Sequence, residues 1–251
     1  MTLSGVSQVC CRVLVALVAL TLAPSLSANL LFQRALPTAN LNDAAGANRS
    51  NISWAPGDST YILGDDFTLA SDSVVDSISV WEVSNGGSPT TEFGSISLYT
   101  GADNGGIGAL SFISSSYTSS LVPGYQYQGS SGALYDVYEI TFAALNLSLA
   151  GNVLYDFGIG ATPGTESSLF LHASNAGFSG STQDGADGFF LGFTGPPYVL
   201  ADVFDSNGNG WDKSSDINVE IDGTAIPEPA TIGLLATCAG ALLFLRRRRA
   251  A

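Results

Sequence analysis

From Ser77 to Val83 the chain reads Ser-Ile-Ser-Val-Trp-Glu-Val, with polar and apolar residues exchanging places at nearly every step. Residues 94–99, 135–142 and 216–221 repeat the pattern. A period of two belongs to a strand with one face on a core and the other in solvent. Residues 153–159, 169–173, 189–193 and 199–204 add apolar runs of strand length. Between these runs stand Asn85-Gly-Gly, Asp103-Asn-Gly-Gly, Val122-Pro-Gly and Thr162-Pro-Gly, all turn formers. No segment between the two ends sustains a helical period. About ten short strands punctuated in this way predict an all-β fold, an antiparallel β-sandwich of jelly-roll kind. On the same alternation Trp81 belongs to the core, Glu82 and Glu139 face water, and His172 takes a half-buried strand position.

The two ends break the pattern. Arg12, the apolar stretch 13–22, Pro24 and the small residues Ser25, Ser27 and Ala28 read as a secretory signal, cut after Ser27 or Ala28. Some ten apolar residues are too few to span a hydrocarbon core of ~30 Å. At the other end Pro227-Glu228-Pro229 precedes the apolar run 230–245, the arginines Arg246, Arg247, Arg248 and Arg249, and two alanines. As a helix that run covers about 24 Å, short but sufficient when arginines snorkel and the bilayer thins. The arginines place this end on the cytoplasmic side, so the middle faces outward. The expected organisation is therefore a signal peptide over 1–28, an exported β-domain over 29–226, and a tail with a transmembrane helix over 227–251.

Pro-Glu-Pro, an apolar helix and a terminal arginine cluster, in that order, resemble the PEP-CTERM sorting signal. The resemblance covers about the last 25 residues. It implies recognition by an exosortase, a membrane-embedded cysteine transpeptidase, with cleavage at or near the motif, and a destination at the cell surface or in the extracellular matrix. Glu228 offers a charged recognition point, and the prolines keep the backbone extended for an enzyme cleft. Gly64-Asp-Asp-Phe-Thr-Leu69 followed by Val80-Trp81 resembles the choice-of-anchor domains that precede such tails, which carry no assigned chemistry.

Charge narrows the partners. Between residues 29 and 226 lie three basic residues, Arg34, Arg49 and Lys213, against 21 acidic ones, a net charge of −18. Such a surface repels phosphate backbones and excludes nucleic acid. The three cysteines, Cys10, Cys11 and Cys238, all lie in the end segments. The middle thus has no disulfide, thiol nucleophile or zinc–thiolate site.

Asp205-Ser-Asn207-Gly-Asn209-Gly-Trp211, with Asp216 at position twelve, follows the oxygen-ligand spacing of a calcium loop. Its flanks read as strands rather than the helices of an EF-hand, and Asp replaces the usual Glu. Repeated Asn-Gly equally forms a hairpin loop, so calcium site and plain turn both stay open. Enzymatic readings are weaker. No Gly-x-Ser-x-Gly frames a serine, and the carboxylate pairs Asp65–Asp66 and Asp136–Glu139 are expected by chance among so many acids. Trp54 and Trp211, in loop-like surroundings, are candidates for stacking on sugar rings. The sequence thus points to a non-catalytic exported protein processed by an exosortase, with exopolysaccharide or other matrix components as partners. The alternatives are a carbohydrate-binding module at the cell surface and, more weakly, a secreted hydrolase.

Overall fold

A computed structural model describes residues 29–36, 49–54, 61–102, 110–128, 132–166, 169–175, 189–192, 199–200 and 215–227. The signal segment, the 205–212 loop and the apolar tail lie outside them. Among the described residues no helix is long and apolar enough to cross a membrane.

The described residues are mostly strand. In order the chain runs β1 (Asn29–Arg34), β2 (Arg49–Trp54), β3 (Tyr61–Thr68), β4 (Ser73–Val83), α1 (Pro89–Glu92), β5 (Phe93–Ala102), β6 (Ser111–Ser114), β7 (Thr118–Gln128) and β8 (Leu134–Phe142). It continues with β9 (Leu147–Leu149), β10 (Leu154–Pro163), β11 (Leu169–Asn175), β12 (Phe189–Gly192), β13 (Val199–Leu200), β14 (Ser215–Ile217) and β15 (Val219–Ala225). Strand occurs in each expected run, with 216–221 divided between β14 and β15 and with 193 and 201–204 outside the described residues; Pro89 at the first turn starts the short helix where its missing N–H costs nothing.

All pairings are antiparallel and fall into two sheets. One follows the order β1-β15-β4-β11-β14, with β2 added to β11, β8 and β9 to β4, and β7 to β8. The other runs β13-β12-β3-β10-β5-β6. One core joins them. Ile78 and Val80 of β4, Ile140 and Phe142 of β8, Leu171 of β11 and Val219 and Ile221 of β15 come from the first sheet. Leu63 and Phe67 of β3, Ile96 and Leu98 of β5, and Phe157 and Ile159 of β10 come from the second. In each set successive members are mostly two or four residues apart, as the pleat requires.

A second, smaller cluster corrects the simple alternation. Trp81, Val83, Tyr127 and Val137 are buried together, with Tyr125, Tyr135 and Phe170 packed against them. Trp81 is core, as expected, but in this cluster and not between the sheets. Val80 and Trp81 are adjacent apolar residues, so they point to opposite faces, and both faces of β4 are covered there. Period two then places Glu82 with Ile78 and Val80 on the inward face, where it is 1% exposed. The expectation that Glu82 meets water is wrong for that reason.

Phe157 fills the centre of the shared core and is fully buried. Phe157→Ala is expected to lower stability by about 3–5 kcal/mol, the cost of a large cavity in a close-packed interior, read from the midpoint of urea denaturation.

Candidate functional site

Several polar groups that the fold brings together are internal. Arg34, at the end of β1, is completely buried. Its Nη1 donates to the Asp66 carbonyl at 2.8 Å and its Nη2 to Asp66 Oδ1 at 2.9 Å. Asp65 Oδ1 lies 3.4 Å from Nη1, and Asp216 Oδ2 lies 3.7 Å from Nε. The Phe32 ring stacks beneath the guanidinium at 5.3 Å. Asp65 occupies the inward face of β3 between Leu63 and Phe67. Its Oδ1 accepts the Asp66 N–H at 2.8 Å and its Oδ2 the Ile217 N–H at 2.6 Å. Burial pushes the Asp65 carboxyl well above the usual range, while Arg34 pulls it down and the nearby Asp216 raises it further. One cation thus holds three aspartates that join β1, β3 and β14 across the two sheets.

The network continues through Asn218. Its Nδ2 donates to the carbonyls of Arg34 at 3.2 Å and Ala35 at 2.8 Å, which leaves Oδ1 to accept from His172 Nδ1 at 2.7 Å. The imidazole therefore carries its proton on Nδ1, and the Tyr125 hydroxyl donates to Nε2 at 3.2 Å. His172 is fully buried, not half-buried, with Tyr125 and Tyr127 edge-on to its ring. Asp216 and Asn218 were expected on a solvent face of one strand over 216–221. Both are fully buried, and the strand is interrupted at Asn218, which separates β14 from β15. Arg34 and His172 cover the face that the alternation left to water.

A carboxyl pair closes one end of the core. Glu82 faces Glu92 of α1, with Glu166 and Tyr117 near enough to feel its charge. Burial, then the hydrogen bond to Glu92 and the charges of Glu92 and Glu166, push the Glu82 carboxyl to about 10. Burial beside like charges disfavours the carboxylate, so Glu82 is held in its protonated form. Glu92 Oε1 accepts from Ser84 Oγ at 2.8 Å and from the Gly87 N–H at 2.7 Å. The Glu166 N–H donates to the Glu92 carbonyl, and Asn85 Nδ2 to Glu166 Oε2, each at 3.0 Å. The pair thereby pins the 84–92 loop to the segment after β10. The sequence reading missed this pair, although strict alternation from Ile78 and Val80 already turns Glu82 inward.

Of the proposed calcium ligands, Asp216 lies beside Arg34, while Asp205, Asn207, Asn209 and Trp211 fall outside the described residues. Among those residues no group of three His, Cys, Asp or Glu side chains is disposed to hold a metal ion. Trp54, read as a loop residue, ends β2, with its backbone opposite Leu169. Asp65 and Asp66 serve the Arg34 junction. Asp136 and Glu139 sit three residues apart on β8, hence on opposite faces, and Asp136 binds Gln126 Nε2 at 2.8 Å.

At the end of the domain β15 runs between β1 and β4, and Pro227 emerges exposed two residues past it. Glu228, Pro229 and Arg246–Arg249 follow outside the described residues. Residues 225–249 match the PEP-CTERM protein-sorting motif. A PEP-CTERM tail marks a protein sorted by an exosortase to the surface, secreted and associated with the cell envelope. No curated protein matches the chain.

Two measurements check the interior. In the folded state Glu82 keeps its proton to about 10, whereas unfolded it releases it near 4.5. Stability is thus greatest below the lower value and falls as pH rises through the window, by at most about 1.4 kcal/mol per pH unit from this group. The thermal midpoint is expected to decline from pH 5 to pH 9, and Glu82→Gln to flatten that decline. Separately, Arg34→Met leaves three aspartates without their cation and is expected to cost about 3–5 kcal/mol at pH 7 by chemical denaturation.

Proposed function

We propose that the chain is a non-catalytic surface or matrix protein. A signal over residues 1–28 exports it, and the helix over 230–245 holds it in the inner membrane until an exosortase cuts at or near Pro227–Pro229. Residues 29–226 form its exported body, a β-sandwich of jelly-roll kind. A chain that crosses repeatedly between the sheets supports that shape, with β3, β5, β10 and β12 in one and β4, β8, β11 and β15 in the other. The observation that carries the reading is the sorting motif at residues 225–249, placed directly after the last strand of an acidic, cysteine-free domain.

The interior fits a body without chemistry of its own. His172, Asp65 and Glu82 are candidates for acid–base work by residue type, yet all three are buried, and the first two are engaged in joining strands. The likeness of residues 64–69 and 80–81 to choice-of-anchor domains agrees with this role. On this reading the acidic surface keeps the released domain soluble among exopolysaccharide and other matrix components.

Intact mass and terminal sequencing of the natural product test the proposal. The expected product begins at Ala28 or Asn29 and ends at or near Pro227–Pro229. Recovery from the cytosol with both ends whole overturns it.

A further inference from the structure

The exit of the chain from β15 is tightly held. Opposite β4 the register of β15 slips between Asp222 and Gly223, and Gly223, Thr224 and Ala225 then face Val75, Val74 and Ser73. A side chain at Gly223 would collide with the Val74 carbonyl, so the two backbones touch there. The Ile226 N–H ends the run by donating to the Asp72 carbonyl at 2.7 Å. Asp72 is itself fixed, because its carboxylate accepts the Gly151 N–H at 2.8 Å. Asn152 N–H, donating to the Leu69 carbonyl at 2.7 Å, ties the same two turns together. Pro227 is the next residue, and no spacer separates this rim from the sorting motif.

The matched motif begins at Ala225, inside the ladder. A transpeptidase takes its substrate as extended backbone whose N–H and C=O groups are free to pair with the enzyme. At about 3.3 Å per residue, the stretch from Ile226 to Glu228 reaches only about 10 Å from the rim. One enzyme helix with its side chains is about that thick. A cleft cannot close around the motif while Thr224, Ala225 and Ile226 stay paired with β4.

We propose that the end of β15 is a latch on sorting: the exosortase acts only after Thr224–Ile226 peels from β4, with the bulge at Asp222–Gly223 as the hinge. Processing then reports local opening of the folded domain. This inference rests on the sorting reading of the tail.

The test follows removal of the tail from the full chain in cells that carry the exosortase. A six-residue Gly-Ser spacer between Ile226 and Pro227 supplies free backbone. It is expected to speed removal on the order of tenfold, the factor that one or two ladder hydrogen bonds set on a local opening. The facing residues Val74 and Thr224 allow a reversible lock. The double variant Val74→Cys, Thr224→Cys is expected to keep its tail when oxidised and to lose it after reduction. A spacer without effect, or an oxidised double variant cut at the parent's rate, overturns the latch. Glu228→Ala separates the two readings. If it blocks removal while spacer and lock change nothing, sorting stands and the latch falls. If it is cut like the parent, the sorting reading fails and takes the latch with it.

Discussion

A single guanidinium, removed from water, ties the first strand of this domain to both of its sheets. Arg34 is the sole basic side chain described in the interior, and it meets Asp65, Asp66 and Asp216 from two other strands. Desolvating such a group is costly, and the cost is offset only when its partners hold their positions. The backbone supplies that rigidity, since N–H groups of Asp66 and Ile217 grip both oxygens of Asp65. Asn218 extends the same logic to His172 and Tyr125. The domain thus carries a polar seam beside its apolar core, and the seam decides which strand ends may lie next to which.

The strands were legible because alternation of side chains follows from the pleat alone. What alternation cannot tell is whether the second face is covered. At β4 the covered second face is written in the sequence, where the apolar Val80 and Trp81 stand side by side, and Glu82 keeps the inward parity of Ile78 and Val80. At Asp216 and Asn218 the pattern is regular and the residues polar, so nothing local distinguishes a wet face from a buried one. Their partners lie at Arg34 and His172, far away in sequence. The same holds for Glu82 and Glu92, whose meeting depends on the loop through α1. Strands β1, β2 and β7, which lack a clean alternation, became visible only through the partners they pair with.

The candidate site at the tail was the most legible part, because its signal is local and ordered: Pro-Glu-Pro, an apolar run, arginines. The domain adds what the motif cannot show, namely that the last strand is an interior strand and that the motif begins where its pairing ends. A sorted protein of this design reaches the enzyme with its fold pressed against the cleavage point. Buried polar junctions, in a body without disulfides, keep that fold from opening elsewhere. On the proposed latch, sorting and stability act on the same few residues at the end of β15.

By this architecture the Arg34 junction belongs to the most stable unit of the domain. Native-state hydrogen exchange addresses it residue by residue. The amides of Asp66, Ile217 and Asn218 are expected to exchange only through global unfolding, in step with the amide of Phe157 in strand β10. Exchange of those three amides well ahead of Phe157 would contradict it, because the seam would then open while the apolar core remained closed.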